Sequence, residues 1–165
     1  MCRARVRRCR HRARIVDFRT RLESQLKTTI PDATLQLTPL PLAPAVSLWL
    51  IDEHYPRGPL DDDVARAILA APAYWAFCWA SGQVMASWLL REPHWVRGKK
   101  VLDFGSGSGV VSVAANAAGA AVVHACDNDP AALIATRANA DLNTAVVRCH
   151  ADLADIREEF DVVIA

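Results

Sequence analysis

Residues 103–109 read Asp-Phe-Gly-Ser-Gly-Ser-Gly, and this loop constrains the fold of the chain more than any other stretch. The apolar residues 101–104 predict a buried strand, and apolar positions recur at helical spacing over residues 110–118. The three glycines between strand and helix allow positive φ and let a ligand lie against bare backbone. A strand, a tight turn and a helix form the first half of a βαβ unit. We therefore expect a ligand at the turn, where unpaired N–H groups of the helix start point towards it.

The spacing of the loop separates two classes of ligand. Dinucleotide-binding loops follow the pattern G-x-G-x-x-G and place a pyrophosphate at the helix start, whereas this loop is G-x-G-x-G. Asp103, two residues before the first glycine, would repel a pyrophosphate and attract an ammonium group. S-adenosylmethionine (SAM) carries an ammonium and a sulfonium group and no phosphate. A second apolar run ends in Asp127, whose carboxylate suits ribose hydroxyls in either class, so the loop is what favours SAM over NAD.

Four stretches resemble the class I SAM-dependent methyltransferases. Three are the loop at residues 103–109, Asp-Asn-Asp-Pro at residues 127–130 and Asn-Ala-Asp-Leu-Asn at residues 139–143. The fourth, Tyr-Trp-Ala-Phe-Cys-Trp-Ala-Ser-Gly-Gln at residues 74–83, resembles a stretch of the electron-transfer-flavoprotein β-subunit lysine methyltransferases and their bacterial relatives. The resemblance extends over residues 45–165. It implies an α/β, Rossmann-like class I methyltransferase fold with a parallel sheet and SAM as the cofactor.

The loop argument and the resemblance together assign cofactor-binding positions. Asp103 is expected to bind the methionine ammonium and Asp127 the ribose, and the resemblance implies that Asp152 meets the adenine amino group; a solvated loop acid is an equal alternative for Asp152. The predicted cofactor-binding set is Trp79, Gly82, Gln83, Asp103, Gly105, Ser106, Gly107, Gly109, Asp127, Asn128 and Asp152. Asp129 precedes Pro130 and is predicted to cap a helix. Trp75 and Phe77 are equally consistent with core packing. No catalytic base and no metal site are predicted.

Charge is unevenly distributed along the chain. Residues 1–21 contain nine Arg and one Asp, a net +8, and the remainder has ten basic and seventeen acidic residues, a net −7. A mildly acidic domain with a basic leader is not typical of nucleic-acid-binding proteins, and no apolar run suits a membrane span. Five cysteines without a C-x-x-C pair fit a reducing, cytoplasmic location. Residues 1–14 fit a solvated tail better than a basic arm or a targeting leader.

Residues 15–98 predict a small helical and extended region before the Rossmann-like domain. Ile15, Phe18, Leu22 and Leu26 have the spacing of an amphipathic helix. Residues 35–44 contain three prolines and predict an extended connection, which a short strand over residues 46–51 follows. Acids at positions 61–63 predict the start of another helix. We expect these elements to form a lid over the cofactor.

Residues 99–165 predict the first four strands of the Rossmann-like domain, with the third near residues 146–150 and the fourth over residues 160–165. The later strands of the family and its acceptor-shaping motif are not found, so we interpret the domain as truncated or as completed by another polypeptide. The apolar far edge of the fourth strand would then lack a partner.

The predicted function is methyl transfer from SAM to a nucleophilic nitrogen. The expected acceptor is a lysine of a protein substrate, and a small-molecule amine is possible. A non-catalytic SAM-binding fragment and an NAD-dependent oxidoreductase are the alternatives.

Overall fold

The computed structural model describes residues 18–55, 58–59 and 61–165. Residues 1–14 and Ile15 lie outside the described residues, so what was expected of them stays a prediction. The helices are α1 at residues 18–27, α2 at Asp62–Ala70, α3 at Ala80–Arg91, α4 at Val110–Ala117 and α5 at Pro130–Leu142. The strands are β1 at Leu35–Leu40, β2 at Ala43–Ile51, β3 at Lys100–Phe104, β4 at Val122–Cys126, β5 at Arg148–His150 and β6 at Val162–Ile164.

Four strands form a parallel sheet in the order β5-β4-β3-β6, which confirms the predicted α/β class. The central strand β3 pairs with β4 on one side and with β6 on the other, because its apolar residues Val101 and Leu102 are buried. The carboxyl ends of these strands meet at one edge of the sheet. Ligands of open α/β sheets bind in the crevice outside that edge.

β1 and β2 form an antiparallel hairpin, which corrects the prediction of an extended connection over residues 35–44. Prolines disfavour a strand because they have no N–H to donate to a partner. Here the register of the pair shifts between Pro39 and Leu40, so the irregularity falls where the proline lies. Leu35 and Leu40 are buried at the two ends of β1. The strand forms because its apolar side chains gain burial despite the proline.

Asn139 of α5 and Asn143, which directly follows this helix, hold the hairpin against it. The side-chain Oδ1 of Asn139 accepts a 2.7 Å hydrogen bond from the Trp49 backbone N–H. Asn143 accepts from the Ser47 N–H at 3.1 Å and donates to the Ser47 carbonyl at 2.7 Å. These bonds use backbone groups of β2 that the β1 pairing leaves available. The hairpin therefore packs against α5. The lid over the cofactor and the domain boundary at residue 98 stay predictions.

Two clusters of buried apolar side chains form the core, and both draw on residues before and after position 98. The first joins β2 and α3 to β3 and α4, and the second joins α1, β1 and a short 3₁₀ turn at Tyr74–Ala76 to α5. Leu22 and Leu26 of α1 are fully buried, in agreement with the predicted amphipathic helix. None of the described helices is both long and apolar enough to cross a bilayer.

Candidate functional site

The glycines of the loop after β3 meet two different requirements. Gly105, Gly107 and Gly109 all have positive φ, at 79°, 50° and 77°. A Cβ at Gly109 would lie 2.8 Å from the Thr136 Cα, so this glycine allows α4 and α5 to approach closely. A Cβ at Gly105 would meet nothing within 4 Å. Open space therefore lies beside Gly105, as a ligand against bare backbone requires.

The N–H groups of the loop donate hydrogen bonds within the protein. Gly105 and Ser106 donate to the Cys126 carbonyl at 2.8 and 3.2 Å, and Gly109 donates to the Ser106 carbonyl at 2.7 Å. The Gly107 N–H donates to Oδ2 of Asp127 at 2.8 Å. A phosphate at this loop would compete with all four bonds, so the loop is not built as an anion cradle.

Side chains of α5 form hydrogen bonds with the glycine loop after β3. The Asn139 amide donates a 2.8 Å hydrogen bond to the Ser108 carbonyl, and Thr136 Oγ1 donates to the Gly107 carbonyl at 3.3 Å. Ser106 Oγ lies 3.1 Å from the same Thr136 oxygen. Thr136 and Asn139 are buried, so solvent does not compete for these bonds. The loop is thereby held in one shape before any ligand arrives.

Asp103 lies at the end of β3, buried beneath the start of α4. Its Oδ2 accepts hydrogen bonds from the Ser112 N–H at 2.9 Å and from the Ser112 hydroxyl at 2.6 Å. Burial raises the pKa of Asp103 to about 6, against the lowering effect of the two bonds from Ser112. The Ser112 N–H at the helix start is thus already paired, which corrects the expectation of an unpaired N–H at that one position. The carboxylate occupies that position because an anion is stable at a helix N-terminus.

Two cavities adjoin the loop and meet at Phe104 and Gly105. The first has a volume of about 190 Å³ and the second about 410 Å³. The predicted residues that line the first are Trp79, Gly82, Asp103, Gly105, Ser106 and Gly107. The predicted residues that line the second are Gly105, Asp127, Asn128 and Asp152. Gln83 and Gly109 line neither cavity: Gln83 lies in the first turn of α3, and Gly109 packs against α5.

The acids of the second cavity also organise backbone around it. Asp127 accepts from the Gly107 N–H through Oδ2 and from the Asp129 N–H through Oδ1, at 2.8 and 2.9 Å. Asp152 accepts from the Ala154 N–H at 2.8 Å and begins the 3₁₀ turn at Leu153–Asp155. A carboxylate oxygen has capacity for a further bond, so both acids remain acceptors for a ligand. Asp129 accepts from the Ala131 N–H at 2.8 Å, which confirms that it caps α5.

Aromatic side chains separate into core and surface members. Trp75 is buried in the second core cluster, so its role is packing. Trp79 has 57% of its surface exposed, lines the first cavity and donates its indole N–H to the Tyr74 carbonyl at 3.3 Å. Gly82 lies one turn further along the chain, where a Cβ would meet Val110 Cγ1 at 2.8 Å.

Ser112 was not predicted as a site residue. The signal in the sequence is a polar residue within an otherwise apolar helix face.

The described cysteines offer little nucleophilic chemistry. Burial raises the pKa of the Cys78 thiol to about 11, and burial also raises the pKa of the Cys126 and Cys149 thiols. These cysteines are therefore poor nucleophiles at neutral pH. Within the described part of the chain, His, Cys, Asp and Glu side chains do not assemble in groups of three that could hold a metal ion.

Comparison with known sequences relates the chain to protein methyltransferases. The family model for ribosomal protein L11 methyltransferase (PrmA) matches residues 88–165. The human electron transfer flavoprotein beta subunit lysine methyltransferase is 35% identical over 122 residues, 74% of this chain and 45% of that protein. The zebrafish (Danio rerio) protein of the same name is 49% identical over 70 residues, 42% of this chain and 27% of that protein. The Acinetobacter baumannii (strain SDF) ribosomal protein L11 methyltransferase is 31% identical over 154 residues, 85% of this chain and 49% of that protein.

These matches and the solved structures agree on the kind of fold. The chain spans about half the length, or less, of the curated relatives it matches. SMU.776 in complex with SAH has a TM-score of 0.53 at 16% identity, covering 82% of this chain and 32% of that one. The Thermus thermophilus 16S rRNA N2 G1207 methyltransferase, in complex with AdoMet and guanosine, has a TM-score of 0.50 at 19% identity, covering 79% and 32%. In its motifs and sequence the chain is therefore similar to SAM-dependent methyltransferases, and its fold resembles the class I fold.

Proposed function

We propose that the chain binds SAM across the two cavities that meet at Phe104 and Gly105, and that the protein transfers its methyl group to a lysine of a protein substrate. The observation that carries the proposal is the arrangement of acids around bare glycine backbone. Asp127 and Asp152 line one cavity, Asp103 lines the other, and Gly105 lies between them. Relatives that carry the name lysine methyltransferase support the choice of acceptor.

The residues present fit SAM better than a dinucleotide. The second cavity offers two carboxylates, which suit ribose hydroxyls and an adenine amino group. The first cavity offers the Asp103 carboxylate, which suits the methionine ammonium, and the exposed Trp79 ring, whose face attracts a cation. The N–H groups of Gly105, Ser106, Gly107 and Gly109 are already bonded within the protein, which disfavours a pyrophosphate.

When bound, SAM supplies a methyl group on a sulfonium leaving group, so the protein's part is alignment and exclusion of water. Asp103 would orient the methionine end, and Asp127 the ribose. The Trp79 ring would shield one side of the first cavity from solvent. The geometry assigns no catalytic base within the described residues, and a neutral amine needs none for attack. We further propose a reducing, cytoplasmic location, because Cys78, Cys126 and Cys149 are unpaired.

Calorimetry with SAM, its demethylated product and NAD tests the cofactor assignment. We expect binding of SAM and of the product and much weaker binding of NAD, because four of the loop N–H groups already donate hydrogen bonds within the protein. Tighter binding of NAD would overturn the proposal and favour an oxidoreductase. Transfer of labelled methyl groups to a lysine peptide, compared with free lysine, then separates the acceptors. SAM binding with no transfer to either would favour a non-catalytic binding role for this chain.

A further inference from the structure

A third cavity lies beside the proposed cofactor site and is unused by it. This outer groove has a volume of about 470 Å³ and lies between the end of β2, α2 and the turn that leads to α3. Its wall includes Trp79, which also lines the first cofactor cavity. One indole ring therefore forms the boundary between the outer groove and the cavity assigned to the methionine end of SAM.

The mouth of the outer groove is aromatic and exposed. Tyr74, Phe77 and Trp79 have 60, 42 and 57% of their surfaces exposed. The ring centroids of Tyr74 and Trp79 are 5.9 Å apart in an edge-to-face arrangement, and those of Phe77 and Trp79 are 6.1 Å apart. Three adjacent exposed rings are unusual on a protein surface and are typical of a binding site. Their faces also attract cations.

The described residues that line the outer groove carry a net negative charge. Asp52 and Glu53 are the charged residues among the described residues that line it. The His54 N–H donates to Oδ1 of Asp52 at 2.8 Å, and His54 Nδ1 lies 3.1 Å from the same oxygen. These contacts lower the pKa of Asp52, so its carboxylate stays ionised well below neutral pH. Two carboxylates at the end of an apolar, aromatic groove match a ligand with a long apolar stem and a positive tip.

We propose that the outer groove receives the acceptor lysine of a protein substrate, and this proposal rests on the function proposed above. The four methylenes of the lysine stem pack against the Tyr74 and Trp79 rings, as long cationic side chains commonly do. The ammonium is attracted by Asp52, Glu53 and the aromatic faces. Trp79 then leads the side chain towards the first cofactor cavity. The proposal concerns recognition of the cation before it loses its proton.

The chemistry of the outer groove disfavours other occupants. A polyanion such as RNA would be repelled by the two carboxylates. A purely apolar segment would fill the aromatic wall but would leave Asp52 and Glu53 facing a ligand that cannot pair with them. A lysine side chain can both pack its methylenes against the aromatic wall and pair its ammonium with Asp52 and Glu53.

Two pentapeptide probes test the proposal, one with lysine at its centre and one with norleucine, both with flanking glycines and blocked ends. Norleucine keeps the apolar stem and lacks the ammonium. The Trp79 indole N–H resonance and calorimetry report binding to the chain in the presence of the demethylated cofactor. We expect the lysine probe to bind more tightly than the norleucine probe. The double variant D52N/E53Q should lose about three- to tenfold of lysine-probe affinity and leave norleucine binding unchanged.

The variant E159Q is the matched control, because Glu159 is exposed and lines none of the three cavities. It should bind both probes like the parent, and all variants should bind SAM like the parent. E53Q alone provides a milder variant that keeps the Asp52–His54 contacts. Equal affinity for the two probes would instead indicate an apolar occupant, and no response up to the solubility limit would also overturn the proposal. If the chain fails to bind SAM but still binds the lysine probe more tightly than the norleucine probe, the proposed function is overturned and the cation-binding role of the outer groove remains.

Discussion

Asp103 combines a structural role and a proposed binding role in one carboxylate. Its Oδ2 holds the start of α4 through Ser112, and its side chain lines the cavity assigned to the methionine ammonium. Burial raises its pKa to about 6, above the ordinary value of 3.8. A nearby ammonium favours the ionised form, so SAM would lower this pKa on binding. The affinity for SAM is therefore linked to pH.

We expect SAM affinity to be constant above the Asp103 pKa of about 6 and to fall as pH decreases below it. The limiting slope is about tenfold per pH unit if one proton must leave for SAM to bind. Calorimetry in a series of buffers measures this profile and the released proton. Asp103→Asn should bind weakly at every pH with a flat profile. The same slope in that variant would assign the titration to another group.

Asp127 and Asp129 are two residues apart, and replacing each by alanine is expected to have a different effect on SAM affinity and stability. Asp127→Ala removes the proposed ribose acceptor and should weaken SAM binding on the order of tenfold, since a bond to a charged acceptor contributes about 1.5–3 kcal/mol. It should also lower stability, because the Gly107 and Asp129 N–H groups lose their acceptor. Asp129→Ala removes only the α5 cap and should cost about 1 kcal/mol of stability.

Calorimetry and denaturant unfolding of both variants separate the two effects. SAM affinity should change little in Asp129→Ala. If Asp127→Ala binds SAM like the parent protein, the cofactor does not lie in the second cavity.

The sequence predicted that the acids and Gly105 lie together because their positions follow from strand ends and loop spacing, and their role in binding the cofactor stays a prediction. Asp103, Asp127 and Asp152 line the two cavities as neighbours across parallel strands, which the βαβ pattern implies. The link from Asp103 to Ser112 and the outer groove were not predicted. Both depend on how helices and the hairpin pack, and no local spacing encodes that packing.

Among the elements, α5 has the widest set of polar contacts, and Asn139 is its centre. Asn139→Ala would leave the Trp49 N–H and the Ser108 carbonyl without their partner. Each unsatisfied buried group costs about 1–3 kcal/mol, so for two groups we expect a loss of roughly 2–6 kcal/mol of unfolding free energy. Asn116→Ala is the control, because its amide makes only a 3.5 Å contact with the Val146 carbonyl. Equal destabilisation of the two variants in denaturant unfolding would contradict this role of Asn139.

Helices and central strands were predictable because the regularly spaced apolar residues in their sequences are the residues that the fold buries. α4, α5 and β4 lie close to where the pattern placed them. β1 was missed because the three prolines in residues 35–44 are typical of irregular chain. Its pairing is favoured by burial against α1 and against α5, and α5 is far away in sequence. β5 is shorter than predicted, since Val146 lies before the strand and is 76% exposed.

At the scale of the whole molecule, β6 is one of the two edge strands of the parallel sheet, and β5 is the other. Within the described residues it pairs on one side only, with β3, and Val163 is 61% exposed. Unpaired apolar edges favour association with another strand. We expect this chain, expressed alone, to associate as concentration rises, and Val163→Lys to reduce that association.

Sedimentation velocity over a range of concentrations measures the effect. Val146→Lys is the matched control, because Val146 is at least as exposed but lies in a loop. The same reduction by both variants would show that added charge, and not the sheet edge, is responsible.

The Asn139 amide bonds both β2 and the glycine loop, so it links the proposed acceptor site to the proposed cofactor site. One side of this amide holds β2, whose chain continues directly into Asp52 and Glu53, and the other side holds the loop that adjoins both cofactor cavities. Any ligand that tightens one of these attachments changes the free energy of the other. Such coupling is reciprocal, so a cofactor that improved acceptor binding would itself be bound more tightly by the same factor when the acceptor is present. A single buried side chain can thus make the binding of the two ligands cooperative without any movement of domains.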